Sequence, residues 1–273
     1  MKSQLITTIA VTLLLGCGES QQSIPQTKNE PAAESNLVKS KANKALLNDA
    51  NKRNIEEAKQ AVTGGDEGLL GHWKFEGDIS DSSGNGNNGV AIGGPGFGEG
   101  RIGKALKLNG LSQRVELPKL ASSINRLTIA TWMHVDHMPL NEKFVSIYHN
   151  NGWSMGDVHL GYTGQEGVLD LGINGNIPSM CIPTFRVKDI QKRWVHLATT
   201  YNATDKKEVR FYLDGQPGEV FKLKEANPVN LGPARIGAWD VEPRWFAGQI
   251  DELYIYERVL TEEEIRTIFE RRL

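Results

Sequence analysis

The sequence predicts an all-β sandwich closed by one short helix. Three observations carry this. About a dozen short runs rich in β-branched and aromatic residues recur beyond residue 70, separated by glycine and asparagine turn signals. All 6 Trp, 6 Tyr and 8 Phe lie in that same part of the chain, so the core must lie there too. Only one stretch there, Thr261-Glu262-Glu263-Glu264-Ile265, reads as a helix start. Thr261 and Glu264 form a capping box, and Leu260 with Ile265 supplies a hydrophobic staple.

The elements follow in order. Trp73 and Phe75 open the domain on one strand face, and Asp78 to Gly89 is a long turn-rich loop whose glycines and asparagines can take positive φ. Strands are expected at Ala105–Leu108, before an Asn109-Gly110 turn, then at Arg114–Leu117 and Leu127–Val135. Further strands fall at Phe144–Tyr148, His159–Tyr162, Val168–Ile173 and Trp194–Tyr201. Val209–Leu213 runs into an Asp214-Gly215 hairpin turn, and Val220–Leu223 and Ala234–Ile236 follow. Ile250–Tyr256 is the last strand, with Leu253 and Ile255 on one face and Tyr254 and Tyr256 on the other. Both faces are apolar, which makes it an interior strand of a layered sheet. Asp251 and Glu252 are anomalous there, since a buried carboxylate needs hydrogen bonds, a cation or a metal.

The first 65 residues have a different character. Lys2 and the apolar run Ile6–Leu15 form an export signal, too short to span a bilayer comfortably, ending in Leu14-Leu15-Gly16-Cys17. That ending resembles a bacterial lipobox, which implies a lipoprotein with signal peptide 1–17, lipidated at Cys17 and anchored on the periplasmic or surface side of a membrane. Residues 18–65 read as a tether, polar with Pro25 and Pro31 at first and loosely helical over 40–62. With Cys17 acylated, Cys181 is the one remaining thiol and no intramolecular disulfide can form. The net charge of −2 excludes an electrostatic case for nucleic acid binding.

Seven motifs in order carry a family resemblance: W-x-F at Trp73, D-x-S-G-x-G-x-x-G at Asp81, G-x-A-L-x-L-N-G at Gly103, L-T-I-A-x-W at Leu127, W-x-H-L-A-x-T-Y at Trp194, V-x-F-Y-L-D-G at Val209 and F-x-G-x-I-D-E at Phe246. From Gly71 to Phe269 the chain resembles a laminin-G-like, concanavalin A-like jelly roll, so residues 66–273 are expected to form one such domain. The fold hosts lectins, adhesion modules and glycosidases alike, so function must be argued from sites.

Four chemistries are open. Asp81, Ser83 and Asn85 match the start of a calcium loop, though position twelve is Ile92 rather than glutamate, so this is no EF-hand. The resemblance implies a structural calcium ion held between that loop and Asp251. The alternative is Asx-turns at Asp81 and Asn85, with Asp251 accepting backbone N–H groups. Glycoside hydrolysis needs two carboxylates about 5–9.5 Å apart; no E-x-D-x-x-E strand is present, and adjacent Asp251 and Glu252 on a regular strand point to opposite faces. His134 and His137 have a metal-compatible spacing without a third ligand, whereas His196 reads as a satisfied, partly buried histidine. Trp73, Trp132 and Trp194 read as core. Trp153, Trp239 and Trp245 sit in loop-like sequence and either stack on sugar faces or cap the ends of the sandwich. The expected function is a non-catalytic module binding carbohydrate or a cell-envelope surface; the rival is a structural or adhesion protein with a protein partner.

Overall fold

The computed structural model describes residues 66–138, 144–164, 166–239 and 244–271. Cys17, the tether and the helical stretch 40–62 lie outside the described residues. Two antiparallel sheets face each other across the main core. The eight-stranded sheet has the order β14-β13-β12-β7-β17-β4-β3, with β1 also paired to β17. Its strands are β1 (Leu69–Trp73), β3 (Gly96–Glu99), β4 (Lys104–Asn109), β7 (Arg126–Val135), β12 (Trp194–Asn202), β13 (Glu208–Leu213), β14 (Gln216–Lys222) and β17 (Ala247–Tyr256). The seven-stranded sheet has the order β11-β10-β9-β8-β16-β5-β2. It comprises β2 (Val90–Ile92), β5 (Arg114–Leu117), β8 (Phe144–Asn150), β9 (Val158–Thr163), β10 (Val168–Ile173), β11 (Met180–Cys181) and β16 (Ala234–Ile236). Strands β6 (Ala121–Ile124) and β15 (Val229–Leu231) form a small separate ribbon.

Strand alternation builds the core. Leu127, Ile129, Met133 and Val135 of β7 face Val145, Leu160, Tyr162, Leu169 and Leu171 of the other sheet within one buried cluster. Each such side chain contributes about 1.5–3 kcal/mol of transfer free energy on burial. The hairpin turn expected at Asp214-Gly215 forms with φ of 49° and 72°, both positive as a type I′ turn requires.

The opposite faces of the same strands make a second core. Tyr254 and Tyr256 of β17, Ala130 of β7, Ala198 of β12 and Tyr212 of β13 pack against Leu260, Ile265 and Ile268. Ile265 and Ile268 belong to helix α1 (Glu262–Glu270), whose capping box is complete, Thr261 Oγ1 accepting from Glu264 N while Glu264 Oε2 accepts from Thr261 N. Trp132 and Trp194 therefore do not join the main core. Trp132 is buried, but beneath α1, where its ring stacks on Phe269 at 5.3 Å. Trp194 is half-buried on the outer face opposite His134.

The carboxylate pair sits where β17 changes partner. Its residues Ala247–Ile250 pair with β4, and Leu253–Tyr256 pair with β1. Between them the register against β7 shifts, and Glu252 takes φ of 50°. This is a β-bulge. It overturns the expectation of opposite faces: Asp251 lies across from outward-facing Trp132, and Glu252 reaches His72 and Tyr254 on that same side.

Candidate functional site

The two carboxylates of the bulge are structural in their contacts. Asp251 is fully buried, and its Oδ2 accepts the Ile102 N–H at 2.9 Å. A Cβ at Gly100 would stand 2.8 Å from that oxygen, so this turn requires glycine. Burial pushes the Asp251 carboxyl up to about 7, the Ile102 N–H opposing and the Glu252 charge adding to the shift. Glu252 Oε2 lies 2.6 Å from His72 Nε2 and accepts from Tyr254 Oη at 2.7 Å. Burial raises the Glu252 carboxyl, but the His72 and Tyr254 hydrogen bonds outweigh it and hold the group below its usual range.

The proposed calcium ligands are not brought together. Asp81 bridges to Trp73 on one edge of β1, whereas β17 and Asp251 lie beyond the other edge. Asp81, Ser83 and Asn85 do share one loop. Asp81 Oδ1 accepts from the N–H groups of His72 and Ser83, and Oδ2 accepts from Ser83 Oγ and Asn87 N. Burial pushes this carboxyl up, but the four donors prevail and lower it. Asn85 and Asn87 donate through their Nδ2 groups to Leu69 and Leu70 carbonyls, stapling the loop to β1. The loop's acceptors are thus committed to protein donors, which is the Asx-turn reading. Among the described residues no group of three or more His, Cys, Asp or Glu is placed to hold a metal ion.

The outer face of the seven-stranded sheet has a different chemistry. Strand register places His149, Ser146 and Phe144 of β8 beside His159 and Gly161 of β9 and Asp170 and Gly172 of β10. Two loops fold over this floor. In the β8–β9 loop, Asp157 anchors the turn by accepting from Asn150 Nδ2 and Ser154 N, and Asn174 Nδ2 holds the Trp153 carbonyl. The Trp239 indole N–H donates to Gly152 O at 3.2 Å, tying the segment after β16 to that loop. The rings then stack in series. Arg244 Cζ lies 4.6 Å from the Phe144 ring and 3.9 Å from that of Trp239, and Trp239 stacks on His149 at 4.7 Å. Trp153 ends the series, 5.9 Å from His149 and 40% exposed.

Glycine is required at Gly161, where a Cβ would stand 2.2 Å from the Val145 carbonyl oxygen, and it gives the Trp153 ring room at Gly172. A Cβ at Gly172 would come within 3.2 Å of Trp153 Cη2, and one at Gly161 within 2.6 Å of Phe144 Cε1. Beneath the rings, His159 Nε2 lies 3.5 Å from Asp170 Oδ1, both side chains being 2% exposed. Ser146 Oγ, both His159 ring nitrogens and Asp170 Oδ1 have no hydrogen-bond partner among the described residues. Burial pushes Asp170 up to about 8, with Arg244 opposing, while burial and then the His149 and Arg244 charges drive His159 well below its ordinary value. Both shifts favour the uncharged form of each group.

Of the three tryptophans singled out in the sequence, Trp153 and Trp239 each pack against His149 on this face, whereas Trp245 is half-buried and makes no ring contact to the cluster among the described residues. Sequence reasoning missed His149, His159, Asp170 and Arg244. The one signal for them was alternation, which places His159 and Asp170 on the face opposite Leu160 and Leu169. His196 is buried, but neither ring nitrogen is satisfied among the described residues, and burial lowers its pKa to about 4, the nearby Asp214 charge opposing. Cys181 is buried, its thiol pushed up to about 12 by burial and by Asp170.

A family model described as the concanavalin A-like lectin/glucanases superfamily (Laminin_G_3) matches residues 109–266, more than half of the chain. The chain belongs to this superfamily. Comparison with curated proteins gave no match. Solved structures with the same fold include domain 4 of AbnA, an extracellular GH43 arabinanase from Geobacillus stearothermophilus in complex with arabinotriose; it is 23% identical over 74% of this chain and 98% of that one, with a TM-score of 0.57. The binding domain of Paraclostridial Mosquitocidal Protein 1 is 19% identical, with a TM-score of 0.61 over 75% of this chain. Botulinum neurotoxin type C, described as entering cells through two ganglioside molecules, is 14% identical, with a TM-score of 0.60 over 76% of this chain. The chain spans about half of each of these two toxin chains (52%). These likenesses establish the jelly-roll sandwich expected from the seven motifs.

Proposed function

We propose that residues 66–273 form a non-catalytic carbohydrate-binding module whose binding surface is the outer face of the seven-stranded sheet. The observation that carries this reading is Trp153: a large ring 40% exposed to solvent, yet fixed by a glycine floor, two histidine rings and a braced loop. Sugar rings present apolar faces that stack on such a platform. The relatives in the same fold include one solved with arabinotriose and one linked to gangliosides, which supports a saccharide as the ligand class. Arrayed neutral and acidic glycans, probed with the wild type and with Trp153→Ala and Trp239→Ala, test the reading. Binding lost in both variants supports it, and binding indifferent to both refutes it.

A protein partner is the second reading, favoured by Met155, Ile177, Met180 and Ile182, which are 64%, 44%, 45% and 44% exposed. Met180 pairs in register with Gly172, the residue under Trp153, so this apolar rim borders the same platform. Catalysis has little support. Although the bulge puts Asp251 and Glu252 on one side, 0% and 6% exposure leaves no access for a glycosidic bond. We further propose that lipidated Cys17 and the tether 18–65 hold the module on the outer side of a membrane; loss of radiolabelled acyl incorporation in Cys17→Ser tests this.

A further inference from the structure

The outer face of the eight-stranded sheet carries one region that α1 leaves open. Register aligns Gly96 of β3 with Lys107 of β4, Lys107 with Gln249 of β17, Gln249 with His134 of β7, and His134 with Trp194 of β12. These residues form a single cross-strand row over five adjacent strands. Strands lie about 4.8 Å apart, so the row extends about 19 Å. Arg101 from the β3–β4 turn and Lys192 and Arg193 from the segment before β12 stand around it, and together they line a depression of about 550 Å³.

The charge in this depression is lopsided. Arg101, Lys107, Lys192 and Arg193 line it against a single lining carboxylate, Glu99, in a chain whose net charge is −2. Neighbouring acids account for part of it: Arg193 pairs with Asp214 at 3.1 Å, and His134 Nδ1 lies 2.8 Å from Asp136. Arg101 is held with Cζ 4.7 Å above the Trp132 ring. Lys107 and Lys192 are exposed and have no ion pair among the described residues. Trp194 is a half-buried ring 5.6 Å from that of His134, and Gln249 adds an amide in the middle of the row. Cations spaced along an elongated groove, with a ring at one end and an amide between, match a chain of sugars bearing acidic groups better than a compact phosphate.

We propose that this row is a second binding site, on the opposite sheet from Trp153, for a carboxylated polysaccharide. Lys107 and Lys192 supply the attraction, Gln249 and His134 hydrogen-bond the sugar hydroxyls, and Trp194 stacks on one ring. Isothermal titration of the full chain with polygalacturonate, heparin, neutral arabinan and phosphatidylglycerol vesicles tests it. The expected result is polygalacturonate binding that falls at least about tenfold in Lys107→Glu/Lys192→Glu and in 0.5 M salt, as screened charge pairs require. Trp153→Ala should leave it unchanged. Circular dichroism and the melting temperature check that the double variant, altered only at exposed positions, stays folded. Three results overturn the proposal: equal binding by the double variant, polygalacturonate and heparin (both of which carry uronate carboxylates) bound no tighter than arabinan, or vesicles bound in preference to polygalacturonate.

Discussion

The two outer faces of the sandwich are built from the same kind of strand and come to opposite ends. On the eight-stranded sheet, small and aromatic residues, Ala130, Ala198, Tyr254 and Tyr256, meet an amphipathic helix and close into a second core. On the seven-stranded sheet the equivalent positions are His149, His159, Asp170 and Ser146, with glycines between them, and what covers them is aromatic rings carried by loops. The first face is closed mainly by hydrophobic burial, although Trp132 Nε1, both His196 ring nitrogens and Asp251 Oδ1 are buried there without a hydrogen-bond partner among the described residues. The second buries polar groups that find no partner among the described residues. Unsatisfied buried polar groups cost stability on either face, and what distinguishes the second is the exposed Trp153 ring that the loops hold over it. That contrast is the reason for placing the Trp153 platform on one face and the helix-closed core on the other, with the cationic row on the part of the second that α1 leaves open.

Substitutions should separate the two. The largest effect is expected on the helix side. Ile265→Ala removes a fully buried side chain from the second core and should cost about 2–5 kcal/mol in chemical denaturation, without altering any ligand affinity at the Trp153 face.

Next comes acid sensitivity from His196, whose pKa falls from 6.5 unfolded to about 4 folded. A depressed folded value contributes stability above the unfolded pKa and loses it as pH falls toward the folded one. The fold should therefore lose on the order of 3 kcal/mol between pH 6.5 and 4 from this group, and His196→Phe should flatten that window.

The Asp170 carboxyl runs the other way. Its folded value is raised to about 8, so its contribution is fully present below the unfolded carboxylate range and is lost as pH rises through 8. Melting temperatures of Asp170→Asn should fall less than those of the wild type between pH 6 and 9. Parallel curves would mean that Arg244 compensates the charge and that the face is less strained than it looks.

How much of this was legible in the sequence follows from what each element depends on. The strands Arg114–Leu117, Val168–Ile173 and Ala234–Ile236 and the Thr261–Glu264 cap match the structure because local pattern determines them. The short strands β2, β3, β6, β11 and β15 escaped because runs of two to four residues are too short to show a periodicity. The bulge at Asp251-Glu252 was hidden because it arises from β17 exchanging β4 for β1, a fact of topology. The same holds for the pairing of Asp81 with Asp251, which β1 separates. Trp153 and Trp239 could be singled out as loop aromatics, but their meeting depends on the Gly152 carbonyl and on Arg244 lying between Trp239 and Phe144. No spacing in the chain encodes that.

The most direct test of the central claim is the affinity and stability of Trp153→Ala measured side by side, using the saccharide that binds the wild type best. The account predicts that affinity falls at least about tenfold, as expected when a stacking ring is removed at a binding centre, while stability changes by less than about 1 kcal/mol because the ring is already 40% exposed. A large loss of stability with affinity intact would show instead that Trp153 caps the sandwich, and that the binding face lies elsewhere.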